Sequence, residues 1–182
     1  MVMATAPDTK LLEQSARGGD AAAFGQLLRL WDRDLRGVAW SVVRSASATD
    51  DIMQDAYERA FRAIDGFEGG SSMKTWLHSI VYRSALDSVR YEGRRAHEDV
   101  TELGSVAATT PAAHPDVAAV SRSELDSVLE SCSPKDRAML MLTTGLGYSF
   151  EETAAILDMK RGTVASRVGR VRARLSRWEE ES

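Results

Sequence analysis

One cysteine, four prolines and three histidines are spread through 182 residues, and each scarcity removes a class of chemistry. Cys132 alone forms no internal disulfide and no multi-cysteine metal site; it reads as a small buried apolar residue, as expected in a reducing, cytoplasmic setting. His78, His97 and His114 are scattered and match no metal-ligand spacing. No apolar run approaches the roughly 20 residues that cross a bilayer, and the start MVMATAPDTK lacks the basic and apolar regions of a signal peptide. A phosphate-cradling glycine loop, a nucleophile elbow and a paired general acid and base are missing as well. Nothing in the sequence asks for a cofactor or a metal, or suggests an enzyme.

What the chain does have is helical periodicity. Leu27, Leu28, Trp31, Leu35, Val38 and Val42 follow Phe24 at steps of three and four, one stripe of a long helix. A second helix is expected from Thr49 as N-cap, with Asp50 and Asp51 in its first turn, through Ile52, Ala56, Ala60 and Ile64, until Gly66, Gly69 and Gly70 end it. A third runs from about Ser72 to Arg95. From His97 to Val120 the pattern fails: two prolines, four acidic residues and no Lys or Arg read as a linker. Beyond it Leu125, Val128, Leu129 and Cys132 form a short stripe. Ser133 then caps a helix with Pro134 at its first position and Asp136 three residues on, stopping at Gly145 and Gly147. Ser149 and Glu152 spell a capping box for a helix through Ile156 and Leu157. The expected fold is all-α, with two helical domains joined by a flexible linker. Its boundaries are a disordered start at 1–9, a first domain at 10–96, a linker at 97–120, a second domain at 121–178 and an acidic tail at 179–182.

Charge is segregated along this plan. The net formal charge is -4, yet KRGTVASRVGRVRARLSRW, from Lys160 to Trp178, carries seven basic residues and no acidic one. An acidic body with one basic end suggests a polyanion there and another partner elsewhere. A capped helix through Leu157, the connection DMKRG and a further helix from Thr163 have the form of a helix-turn-helix. Val164, Val168, Val171 and Leu175 fall on one face of that last helix, which should pack inward. Arg167, Arg170, Arg174 and Arg177 share a neighbouring face and should stand outside, where they can meet phosphates. Thr163 reads as a neutral cap, with Ser166 where a capping box would put Glu. A merely solvated arginine face is the plain alternative, but the capped helix and tight turn ahead of it favour DNA. In SSMKTWLHSIVYRSALDSVRYEGRR, Trp76, Arg83, Arg90 and Arg94 share a narrow arc with Asp87 beside them. Rings among arginines suit unpaired bases. A Trp76 buried between helices, with arginines paired to carboxylates, fits this segment equally well.

In order, RGGDAAAFGQLL, ATDDIMQDAYERAFRAIDGF and SSMKTWLHSIVYRSALDSVR resemble the parts of region 2 of the extracytoplasmic-function (group IV) sigma factors of bacterial RNA polymerase. LESCSPKDRAMLMLTTGLGYSFEETAAIL followed by RGTVASRVGRVRARL resembles their region 4. The resemblance implies a subunit without catalysis of its own that binds polymerase core and promoter DNA and is held inactive by an anti-sigma factor. It places Asp51, Gln54, Asp55 and Glu58 against the clamp helices of the beta-prime subunit, and region 4 near the beta flap. It assigns Lys74, Trp76, Arg83, Asp87 and Arg90 to the minus-10 element, and Arg161, Thr163, Ser166, Arg167, Arg170 and Arg174 to the minus-35 element. Arg83 stands where the family often has Asn, and Ala165 and Gly169 stand where long side chains often meet base edges. Less direct reading of bases and more reading of DNA shape is the implied consequence. A free-standing helix-turn-helix regulator, with residues 11–95 as a sensor or dimerisation bundle, is the other reading.

Overall fold

The computed structural model describes residues 8–102 and 132–181, with side chains through 95 and from 132 to 174. The predicted linker beyond Glu102, the stripe Leu125, Val128 and Leu129, and the side chains of Leu175 and Arg177 lie outside the described residues. Among those residues there are seven α-helices and no strand.

Every described helix but the last begins where a short polar side chain satisfies free backbone N–H groups. Asp8 accepts from Lys10 to start α1 (Thr9–Arg17), a helix the stripe starting at Phe24 did not disclose. Gly19, at φ +88°, makes the turn into α2 (Ala21–Val43), and the Asp20 carboxylate caps Ala22 and Ala23 there. The next helix, α3 (Ala46–Ala63), is capped by Ser45, not by Thr49 as the sequence suggested. Thr49 lies one turn inside, its hydroxyl donating to the Ser45 carbonyl at 2.7 Å. That back-bond lets a threonine sit in a helix interior and hides the true start. A 3-10 turn (Ile64–Gly66) follows, and the Ser72 hydroxyl accepts from Thr75 N–H at the head of α4 (Met73–Glu102). This helix runs past residue 96, where the sequence pattern had stopped.

The second module opens with α5 (Pro134–Leu140), capped by Ser133, which widens into a π turn over Met141–Gly145. The Ser149–Glu152 capping box heads α6 (Phe150–Leu157), and its hydrogen bonds hold the Glu152 carboxyl below the usual range. Asp158, at φ +52°, terminates α6, and only Met159 and Lys160 separate it from α7 (Arg161–Glu181). Thr163 is therefore within the first turn of α7, not its cap.

In the first module α2 is the central helix, with α1, α3 and α4 packed around it. Leu27, Leu35, Val38, Ala60, Leu77 and Ala85 are all at most 1% exposed. Burying a leucine side chain there contributes about 1.5–3 kcal/mol, so this stripe dominates the stability of the bundle. The second module buries Met139, Leu142, Ile156, Val164 and Val168 in the same way. The modules also dock, α5 along α2 and α6 along α4, so that one apolar cluster runs through both. No described helix is long and apolar enough to cross a membrane.

Candidate functional site

Three surfaces collect the residues singled out from the sequence. On α3, Asp51, Gln54, Asp55 and Glu58 are all exposed on one side. Asp55 is held by Arg59 at 2.8 Å and Glu58 by Arg62 at 3.0 Å, ordinary one-turn pairs. Asp51 and Gln54 have no partner among the described residues. Behind them the Tyr57 hydroxyl donates to Asp32 at 2.6 Å, and Arg36 bridges Asp32 and Asp50, whose carboxylate, hydrogen-bonded to the guanidinium, holds it firmly charged. Beside this stripe Phe24, Leu28, Tyr57 and Phe61 line an apolar hollow of about 430 Å³ between α2 and α3. Phe61, its ring 6.3 Å from that of Phe24, is 56% exposed, large for an aromatic side chain. Sequence reasoning passed over it because it is out of step with the buried stripe, yet that mismatch was itself the signal.

On α4 the structure brings together Trp76, Arg83, Asp87 and Arg90 but not Lys74. Two residues turn a helix by about 200°, so Lys74 points the other way and its ammonium binds Asp34 on α2. Trp76 is half-buried, its ring 5.1 Å from that of Phe67, which Arg17 covers at 4.7 Å. Asp87 ties α4 to α3 through Arg59 at 3.2 Å and holds Arg90 at 3.6 Å. Arg83 is exposed and has no partner among the described residues. The packed ring and the Asp87–Arg90 pair match the plainer reading of this arc, with the Arg83 guanidinium exposed beside them.

The last surface is α7, second helix of the helix-turn-helix. Val164, Val168 and Val171 are buried against α5 and α6 as the pattern required. The arginines do not all face outward. Arg167 is half-buried and reaches Asp136 at 3.2 Å, and Arg174 ends 2.7 Å from the Cys132 sulfur, both directed to the start of α5. The reason is a neighbouring carboxylate and a polar helix start, which projection of a single helix omits. Arg161, Thr163, Ser166 and Arg170 are exposed, as is Arg174 despite its bond to Cys132, and Gly169 opens onto empty space. Arg161 faces Glu151 at 3.6 Å, and Arg170 Nε lies 3.4 Å from the Ser166 carbonyl.

This arrangement has close relatives. Residues 27–95 match the family model for Sigma-70 region 2, and residues 122–175 match that for Sigma-70, region 4. The ECF RNA polymerase sigma factor SigM of Mycobacterium tuberculosis is 33% identical over 159 residues, spanning 87% of this chain and 78% of SigM. The RNA polymerase sigma-H factor of Pseudomonas aeruginosa is 30% identical, with 91% of this chain and 90% of that protein aligned. Among solved structures, the sigma factor RpoE in complex with the anti-sigma factor NepR from Bartonella quintana superposes with a TM-score of 0.75 at 30% identity, covering 86% of this chain and 96% of that one. CnrH in complex with the cytosolic domain of CnrY gives a TM-score of 0.69 at 26% identity, over 96% of this chain and 98% of that one. With both halves matched in sequence order and the whole helical scaffold shared, the chain belongs to the extracytoplasmic-function sigma factors of the sigma-70 family.

Proposed function

We propose that this chain is a promoter-specificity subunit that binds bacterial RNA polymerase core in the cytoplasm, directs initiation at a small set of promoters and performs no catalysis itself. The observation that carries this is the pairing of a region 2 match with a region 4 match in one chain, each bearing exposed cationic residues on a single helix. The reading of the first module as a sensor bundle loses its basis, because that stretch is itself the region 2 match.

In this function the α3 stripe meets core polymerase at the clamp helices, with Asp51 and Gln54 free to bond there, and the second module lies toward the beta flap. Trp76, Arg83, Asp87 and Arg90 take up the separated minus-10 strand, the ring by stacking and the guanidinium groups along the backbone. Arg161, Thr163, Ser166 and Arg170 enter the minus-35 major groove. With Ala165 and Gly169 offering no long side chain, shape contributes much of the selection there. Arg167 and Arg174 brace the helix in this state more than they read DNA. The complexes of RpoE with NepR and of CnrH with CnrY support an anti-sigma factor as a further partner of this chain.

The test is run-off transcription with purified core polymerase. A discrete start site that depends on this chain is expected; its absence, together with no binding to core, rejects the proposal. Replacing Asp51, Gln54 and Asp55 together by Ala should weaken core association on the order of tenfold, or about 1.4 kcal/mol. Unchanged affinity removes α3 from that interface.

A further inference from the structure

Helix α2 ends with an electrostatic need that its own sequence does not meet. The last carbonyls of a helix lack intrahelical donors, and the helix dipole adds partial negative charge at that end. No basic residue lies in the last turn of α2, and of its final carbonyls that of Trp40 accepts from the Arg44 N–H. The donors for the next two come from the other module. Arg137 of α5 donates from Nε to the Ser41 carbonyl at 2.7 Å and from Nη2 to the Val42 carbonyl at 2.9 Å. Its Nη1 donates to the Cys132 carbonyl in its own module at 2.6 Å. One planar guanidinium thus ties the carbonyl end of α2 to the start of α5, a fork that an ammonium group does not reproduce.

Two further contacts close the seam. Gly37, one turn earlier on α2, admits Met141 so closely that a Cβ there would come within 2.4 Å of the methionine methyl. On the α4 side the Tyr148 hydroxyl lies 3.2 Å from His78 Nδ1, with the rings edge to face at 5.2 Å.

The seam is nevertheless incompletely satisfied. The Tyr82 hydroxyl is buried with no hydrogen-bond partner among the described residues, and burial pushes this phenol up to about 12. Buried hydroxyls without partners are uncommon in permanent interiors, and this one regains a hydrogen bond when water returns. At the edge of the seam Tyr82, Arg83, Asp87 and Arg90 form one wall of a cleft of about 220 Å³, with Lys135 and Asp158 on the opposite wall. Of the residues assigned to the separated strand, Arg83, Asp87 and Arg90 therefore face the second module across a narrow gap, and Trp76 does not.

We propose that the two modules form an intramolecular closed state, latched by Arg137, in which the second module is a lid over the single-strand surface of α4. Closure requires no second protein. The lid's consequence rests on the reading of α4 given above, whereas the latch is a property of the chain alone. Opening exposes the Ser41 and Val42 carbonyls to water and hydrates Tyr82, so the polar losses and gains offset one another and the catch is reversible.

Small-angle scattering of the full chain tests the latch, and fluorescence anisotropy with a labelled single-stranded oligonucleotide tests the lid. The proteins are wild type, Arg137→Ala, Arg137→Lys and Gly37→Glu. The last acts from the first module, puts a carboxylate against Met141, and removes a mid-helix glycine, which favours α2 itself. Wild type should show a radius of gyration near the ~16 Å of a compact chain of this length. Arg137→Ala and Gly37→Glu should expand it by several Å with circular dichroism unchanged, and Arg137→Lys should fall between. If the open form is about a tenth of the wild-type population, the opened variants bind the oligonucleotide about tenfold tighter. Should Arg137→Ala lose helicity, Gly37→Glu decides. Wild-type scattering from both Arg137→Ala and Gly37→Glu overturns the latch; expansion with unchanged oligonucleotide affinity overturns the lid. Expansion in a set of proteins none of which binds the oligonucleotide upholds the latch and rejects the reading of α4.

Discussion

The interior of each module and the seam between the modules are built from different materials. Around α3, Ile52, Met53 and Ala56 are 1–4% exposed and meet other apolar side chains, while Asp51, Gln54 and Asp55 stand outside. At the seam a guanidinium, an imidazole and two phenols are buried or half-buried among the apolar groups. Apolar area stabilises without direction, in proportion to the area removed from water. Polar contacts need geometry, give a small net gain and can be exchanged for water. The interiors thus define two folding units, and the seam defines one arrangement of them.

The largest effect that would separate the two comes from an interior position remote from the seam. Met53 is 1% exposed on α3, which packs on α2 and α4 and has no substantial contact with the second module. Met53→Ala should lower stability by about 2–5 kcal/mol, read from the midpoint of urea unfolding. The folded fraction should scatter as the closed chain does. An open but folded Met53→Ala protein would mean that the bundle interior and the seam are one unit.

A substitution in the seam should have the opposite sign. Tyr82→Phe removes a buried hydroxyl that has no partner among the described residues and leaves the ring in place. Deleting such a group is worth about 1 kcal/mol in favour of the state that buries it. Unfolding at a higher urea concentration, and weaker oligonucleotide binding than wild type, are the expected results. A destabilised Tyr82→Phe protein would show that the hydroxyl does find a partner in solution and that the seam is better satisfied than its geometry indicates.

This contrast also explains what could be read from the sequence. Periodicity reported the interiors: the stripe from Phe24 to Val42, the capping box at Ser149 and the valines of α7 follow from local spacing and burial. It misplaced the starts of α3 and α7, because Thr49 and Thr163 have the chemistry of caps, whereas Ser45 caps α3 one turn earlier and α7 begins at Arg161 with the Lys160 carbonyl accepting its first bonds. The three candidate surfaces were legible as faces. Their partners were not. That Lys74 reaches Asp34, Arg167 reaches Asp136 and Arg174 reaches Cys132 depends on elements 31 to 42 residues away in the chain. Arg137 gave no signal at all, since a lone arginine on a short helix is indistinguishable from a solvated one until the end of α2 is beside it.

The smallest expected effect is a pH dependence, and it asks to which material His78 belongs. The ring is fully buried, and burial lowers its pKa from 6.5. Of the groups facing it, the Lys74 ammonium on its own helix pushes the same way, while the Lys74 carbonyl and Asp34 on α2 push back. Tyr148, from the second module, is a phenol kept neutral by its own burial. The closed chain therefore holds neutral imidazole, and an exposed His78 takes up a proton near pH 6.5. The stability contributed by neutral His78 is complete above that pH and is lost as pH falls from 6.5 toward the lowered value. Wild type should lose more unfolding free energy than His78→Gln between pH 7.5 and 5.5, and equal losses would mean that another group titrates. Scattering across the same range then locates the site. Expansion at pH 5.5 with helicity intact means that the second module supplies the burial, whereas compaction and helicity lost together mean that the α2 and α4 interior does.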